Sequence, residues 1–302
     1  MSHSSFSHWL LAARLRTLPL ACSSVLLGSG LAASAGLFRW SLFGLCLLTA
    51  TLLQILSNLA NDYGDAVSGA DNADRVGPTR AVVSGLISAR QMLVGMGVTA
   101  LAAVASGLML LWQAFAADWA GILTFIGFGA LALLAAVTYT VGRRPYGYLG
   151  LGDLSVFIFF GLLGVMGSNY LYTHQLSAAL LLPAASCGLL ATAVLNINNL
   201  RDRLTDAAAG KRTLVVRLGA RRSRTYHWLL VGGAMLLNAG FILWQQTGPW
   251  SWLYLPGCVP LLQAAWTVQH SDEPTLLNAM LKRTALGSLI CNLLLALGFA
   301  LG

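Results

Sequence analysis

The chain has 302 residues, of which 57% are hydrophobic and 9% charged, against roughly 25% charged in an ordinary soluble domain. A water-soluble globule is excluded. The formal net charge of +8 then reads as a membrane-sidedness signal, and no nucleic-acid partner is expected, because no RNP, zinc-finger or helix-turn-helix pattern accompanies it.

Nine apolar windows are long enough to cross ~30 Å of hydrocarbon as helix. The first, about 18–38, follows Arg14 and Arg16 and ends in Ala33-Ser34-Ala35, a combination that imitates a secretory signal. It is longer than a signal core, and the charges of the later loops need it as a span, so no cleavage is expected. The second, about 40–60, runs into a polar stretch at 61–90. The third and fourth, about 91–112 and 119–141, are joined by a short connection, and Arg143 and Arg144 precede the fifth, about 154–172. The sixth, about 177–198, opens on a second polar stretch at 199–226, and windows at about 227–244, 250–268 and 280–301 complete the set. All nine tryptophans fall near a window's end, where an amphipathic ring suits the headgroup layer.

Seventeen of the 18 Lys and Arg residues lie on one side of these windows, Arg39 being the exception, and so do nine of the ten acidic residues. Short basic loops stay in the cytoplasm. The expectation is an all-α polytopic membrane protein with nine transmembrane helices, a single domain over 1–302, its N-terminus cytoplasmic and its C-terminus on the opposite face. The five cysteines lie singly in apolar runs and form no CxxC pair, so neither a disulfide framework nor a zinc site is indicated.

The two long cytoplasmic stretches carry the chemistry. The first opens Asn58-Leu-Ala-Asn61-Asp62-Tyr-Gly-Asp65 and continues through Asp71, Asp74, Arg75 and Arg80. The second opens Asn196-Ile-Asn198-Asn199-Leu-Arg201-Asp202 and continues to Asp206, Lys211 and Arg212. If the preceding helices run on, Asn58, Asp62 and Asp65 share one face, and Asn198, Asp202 and Asp206 share another. Carboxylates collect on the wet side because one at mid-bilayer costs ~2.5–3.5 kcal/mol. That explains their location but not two matching amide-and-carboxylate groups. Oxygen-only ligands suit hard cations, Mg2+ first, which bridges carboxylates to substrate phosphates. Flanked by Arg75, Arg80, Lys211 and Arg212, such a site binds and neutralises a diphosphate. Apolar helices behind it fit an amphiphile with a diphosphate head and a hydrocarbon tail.

Other features are weaker. From Arg217 to Arg224 the basic run reads as topology signal and attraction to anionic membrane lipid, at ~1 kcal/mol per charge. Asp153, at the entrance to the fifth window, either orients a hydroxyl of a substrate or caps a helix, and both readings stay open. A transporter with inverted halves is the alternative class, since paired polar breaks mark its substrate sites too. Its ionisable groups would sit near the midplane, where the first eight windows have none. A CDP-alcohol phosphotransferase would carry one compact acidic signature instead of two distant ones.

The motifs Asn58-x-x-Asn61-Asp62-x-x-Asp65 and Asp202-x-x-x-Asp206, each ending an even-numbered span, resemble the UbiA superfamily of intramembrane prenyltransferases over almost the whole chain. The stretches LQILSNLANDYGDAV, TYTVGRRPYGYLGLGD and ATAVLNINNLRD, followed by GKRTLVVRLG, are most similar to its menaquinone-pathway branch. The resemblance implies nine helices in a horseshoe around a central cavity, open sideways to lipid, in the bacterial inner membrane. It implies that Asp62, Asp65, Asp202 and Asp206 hold Mg2+, that Asn58, Asn61 and Asn198 assist, and that Arg80 and Lys211 contact phosphate. Tyr139 and Arg143, a Tyr-x-x-x-Arg where the superfamily has Tyr-x-x-x-Lys, would lie near the bound head group. The implied substrates are a polyprenyl diphosphate and 1,4-dihydroxy-2-naphthoate, with 4-hydroxybenzoate as the alternative acceptor. Gly69 stands where ubiquinone-branch relatives carry a third aspartate.

Overall fold

The computed structural model describes residues 5–70 and 77–302; Asp71, Asp74 and Arg75 lie outside them. Among the described residues all regular structure is helical. Helix α1 (Ser5–Ala13) stops at Arg14, which adopts φ 49°. Helix α2 (Leu18–Ala33) has a proline in its first turn, where a missing N–H costs nothing. After α3 (Trp40–Val67), α4 (Ala89–Phe115) starts from a capping box between Ser88 and Gln91. Asp118 caps α5 (Trp119–Thr138) by accepting from the N–H groups of Ala120 and Gly121. Then come α6 (Gly152–Thr173), α7 (Leu181–Arg201), the short α8 (Arg203–Ala208) and α9 (Leu214–Gln245), which is bent at Gly219 with φ 75°. Helices α10 (Tyr254–His270) and α11 (Pro274–Leu301) end the chain.

Eight helical stretches among the described residues are long and apolar enough to cross a membrane, and α1 and α2 together form the first. The predicted window at 250–268 is the shorter α10, whose 17 residues rise only about 25 Å. A 3-10 turn, Pro249–Leu253, leads into it and supplies further length. The expected nine traverses are therefore reached only with α10 included. Both polar stretches are also more helical than their composition suggests: α3 continues to Val67, and 199–226 contains α8 and the first turns of α9.

Helix α7 is the hub, packing against α2, α6, α9 and α11, while α5 leans on α3 and α4 with almost none of its length buried. Leu27, Val165, Leu190, Val231, Leu261 and Leu295 join six helices in one core. Lipid supplies no hydrophobic drive between helices, so close packing and interhelical hydrogen bonds hold them. Asn292 Nδ2 donates to Ser23 Oγ at 2.6 Å, and Ser24 Oγ donates to the Phe160 carbonyl at 2.5 Å, tying α11 and α6 to α2. Phe160 belongs to a π-helical stretch, Phe157–Met166, of the kind that often borders functional sites. Helices α2 to α7 surround a cavity of about 590 Å3.

Candidate active site

Most of the cavity wall is apolar, and one end is polar, where α3, α7 and the segments after them meet. Asn58, Asn61, Asp65, Arg80, Asn198, Asn199, Asp202, Asp206 and Lys211 all face it. Two motifs far apart in sequence therefore share one basin, and Lys211 bridges them. Its Nζ lies 3.0 Å from Asp65 Oδ1 and 3.6 Å from Asp206 Oδ1. Asp65, 3% exposed, also accepts from Arg80 Nη2 at 2.9 Å and from the Tyr148 hydroxyl at 2.6 Å. The Lys211 ammonium stands 4.7 Å from the centre of the Tyr148 ring, within cation–π range.

Across the basin, Arg201 holds Asp202 with Nε at 2.7 Å and Nη2 at 2.6 Å, and reaches the side-chain oxygens of Asn198 and Asn278, each at 2.9 Å. The helix breaks at Asp202, with φ −92° and ψ 6°. Asn198, Asp202 and Asp206 thus line one cavity without forming the continuous helical stripe their spacing predicts. Asn58 Nδ2 donates to the Ala13 carbonyl at 2.9 Å and to Thr17 Oγ1 at 3.0 Å, which fixes the α1–α2 junction against α3. Asn61 Oδ1 accepts from Thr140 Oγ1 at 3.1 Å.

Three expected site residues sit elsewhere. Asp62 is 1% exposed and does not line the cavity; its carboxylate accepts the backbone N–H groups of Ala81 and Val82 at 3.0 and 3.1 Å, anchoring the segment that carries Arg80. Arg143 is exposed and off the cavity wall, because α5 ends at Thr138 and Gly142 turns the chain at φ 123°, so four residues no longer equal one helical turn. Asp153 is buried at the start of α6, hydrogen-bonded to Tyr226, and also absent from the wall.

Tyr139 does line the cavity. A Cβ added to Gly152 would lie 2.6 Å from its hydroxyl, so glycine there is a condition of the ring's position. Burial first, then the negative charges of Asp153, Asp65 and Asp206 among its neighbours, push the Tyr139 phenol above its ordinary pKa of 10.0 and keep it neutral. Tyr148, Tyr146 and Arg201 join the site without having been singled out from sequence. The signal for the tyrosines was the aromatic pair in Tyr146-Gly-Tyr148 between two charged segments; Arg201 was indistinguishable from the topology-setting arginines around it.

The donor set at the polar end is oxygen throughout: carboxylates from Asp65, Asp202 and Asp206, and amide oxygens from the asparagines. Among the described residues, no three carboxylate, thiol or imidazole groups stand close enough to enclose an ion unaided. Magnesium needs only one or two protein carboxylates when waters and substrate phosphates complete its shell. Arg80 and Lys211 in the same basin are the cations a diphosphate calls for. The residues fit a magnesium–diphosphate pair better than a bare ion.

An intramembrane chamber with an apolar body and a mixed-charge polar end defines an enzyme that handles a lipid anion, and the chain belongs to the UbiA prenyltransferase family, whose profile matches residues 21–289. It is 49% identical over 295 residues to 1,4-dihydroxy-2-naphthoate octaprenyltransferase of Escherichia coli (strain K12), covering 97% of this chain and 95% of that one. Identity to the protein of the same name from Haemophilus influenzae is 44% over 304 residues, covering 100% and 98%. Among solved structures, the apo UbiA homolog from Aeropyrum pernix K1 matches with a TM-score of 0.64 at 17% identity, covering 89% of this chain and 96% of that one. The UbiA homolog from Archaeoglobus fulgidus bound to GPP and Mg2+ matches with a TM-score of 0.59 at 14% identity, covering 95% and 99%. Both establish the all-helical fold.

Proposed function

We propose that this protein transfers a polyprenyl group from a polyprenyl diphosphate to 1,4-dihydroxy-2-naphthoate, with Mg2+ and with loss of the acceptor's carboxylate as CO2, giving demethylmenaquinol for menaquinone biosynthesis. The observation that carries this reading is the Asp65–Lys211–Asp206 bridge, which joins the two acidic motifs at one end of an apolar chamber. Near-half identity over the full chain to a relative named for that reaction supports it.

The diphosphate docks at the polar end, where Arg80 and Lys211 exchange the Asp65 carboxylate for phosphate oxygens. Asp65, Asp202 and Asp206 are the carboxylates that would hold Mg2+, one or two of them sufficing beside waters and phosphate oxygens. The metal, when bound, supplies Lewis-acid neutralisation of the leaving diphosphate. Arg80 and Lys211 meet the charge that builds on the leaving group as the allylic C–O bond ionises, and each 1.36 kcal/mol of such stabilisation is worth about tenfold in rate. Phe125, Phe159 and Leu163 on the chamber wall exclude water from the allylic cation until the aromatic ring attacks it. The neutral Tyr139 phenol adds no charge that would trap the cation. The one-sided Lys and Arg distribution supports an orientation with the N-terminus and active site toward the cytoplasm, and the family resemblance supports the bacterial inner membrane as the compartment.

The test is incubation of the purified protein with a labelled polyprenyl diphosphate and a panel of aromatic acids, with and without Mg2+, followed by product mass. Prenylated naphthoquinol lacking the carboxylate, formed only with Mg2+, is expected. A product from 4-hydroxybenzoate in its place, or metal-independent transfer, overturns the proposal.

A further inference from the structure

Beside the polar end the cavity wall carries two hydroxyls that neither acidic motif uses. The Tyr146 hydroxyl donates to the Ala135 carbonyl at 2.9 Å and stands 2.9 Å from Ser155 Oγ. A phenol has one hydrogen, and with that hydrogen committed to Ala135, Ser155 is the donor in the second bond. Ser155 has then spent its only hydrogen as well. Its remaining lone pairs belong to a residue that lines the cavity, as Tyr146 does. The Ser155 oxygen therefore accepts a further hydrogen bond and gives none. Burial raises the Tyr146 phenol above its ordinary pKa, so the hydrogen that sets this order stays in place.

The pair is also close to the polar end of the cavity. The Tyr146 ring meets the Tyr139 ring edge-on, centroids 5.2 Å apart at 84°, and Tyr139 lies within electrostatic reach of Asp65 and Asp206. One ring therefore separates the hydroxyl pair from the carboxylates. We propose that Ser155, oriented by Tyr146, accepts a hydrogen bond from a ring hydroxyl of the aromatic acceptor and so selects acceptors with a free hydroxyl at that position. The inference rests on the aromatic-transfer reading above. An aromatic ring attacks an electrophile with electron density lent by its hydroxyl oxygen, and a hydrogen bond given by that hydroxyl increases the density. A carboxylate needs donors, so the acceptor-only Ser155 oxygen favours the hydroxyl of the acceptor over its acid group.

The experiment uses the full-length protein in detergent, with equilibrium binding of 1,4-dihydroxy-2-naphthoate read by tryptophan quenching and steady-state transfer read beside it. Ser155→Ala is expected to weaken naphthoate binding and raise its KM by about 3- to 10-fold, the worth of one neutral hydrogen bond, with the KM for the prenyl diphosphate unchanged. Ser155→Thr, which keeps the hydroxyl, restores both. A methyl ether of the acceptor, which cannot donate, is rejected by the wild type but bound by Ser155→Ala as well as the free naphthol is. Tyr146→Phe releases the Ser155 hydrogen, so this variant accepts the ether better than the wild type does. Full discrimination against the ether in Ser155→Ala, or a change confined to the diphosphate KM, overturns the proposal. Ser155-dependent binding without any prenyl transfer would instead overturn the reaction and leave this subsite standing.

Discussion

Replacing Asp65 with asparagine removes one negative charge and almost no volume from the centre of the polar end. The carboxylate is 3% exposed and holds Arg80 at 2.9 Å and Lys211 at 3.0 Å, each of those being 8% exposed. At ~3 Å and an effective dielectric of ~20 each pair is worth about 5 kcal/mol before desolvation, and removing one partner of a buried pair typically costs about 3–5 kcal/mol net. Lys211 keeps Asp206 at 3.6 Å, which places the expected loss near the lower figure, or roughly 6–12 °C in melting temperature. The variant has a second, opposite signature. Arg80 and Lys211 lose the group that competes with phosphate, so inorganic diphosphate in the presence of EDTA should bind more tightly to Asp65→Asn than to the wild type, while prenyl transfer falls at least about 100-fold through the lost metal ligand. Thermal shift with and without diphosphate, and turnover, measure all three. A variant that melts within about 2 °C of the wild type and binds metal-free diphosphate no better refutes the assignment of Asp65 as the counter-charge.

Tyr148→Phe deletes the 2.6 Å bond to Asp65 but keeps the ring under Lys211; a loss of about 1.5–3 kcal/mol, the worth of a hydrogen bond to a charged group, should appear as a lower melting temperature and slower transfer, and unchanged values on both counts would discount the bond. Gly152→Ala puts a methyl group 2.6 Å from the Tyr139 hydroxyl and should cost about 1–3 kcal/mol by overpacking, with transfer lost in proportion; a Tyr139→Phe background, lacking that oxygen, should relieve part of the cost. Because the folded Tyr139 phenol titrates above 10.0, the stability it contributes is complete below that pH and is lost as pH rises through its higher folded value. Absorbance titration near 295 nm should accordingly find Tyr139, like Tyr146, among the tyrosines that do not ionise around pH 10, so Tyr139→Phe should leave the number of early-ionising tyrosines unchanged.

Much of the fold was legible because apolar run length is a direct consequence of bilayer thickness. The span at 250–268 was the exception: as a 17-residue helix with an internal proline, α10 has a window average that borrows from the turn before it. The basin itself followed from residue type, since oxygen-only clusters in two polar breaks have few other uses. Asp62 shows where composition stops informing. An aspartate beside Asp65 in a motif is chemically indistinguishable from a ligand, and only the return of the chain at Ala81 and Val82 reveals that it reads backbone amides. Arg143 fell to a helix that ends at Thr138, before the Tyr139–Arg143 interval begins, and Ser155 gave no signal because its meaning comes entirely from the proton order of Tyr146 and Ala135.

The grip of Asp62 on the main chain has an evolutionary corollary. It recognises amide hydrogens, which every amino acid but one provides, so the identities of residues 81 and 82 are policed by room alone and proline is barred there on chemical grounds. A mutational library across this loop should tolerate small residues broadly at Val82 and return an isolated gap at the imino acid.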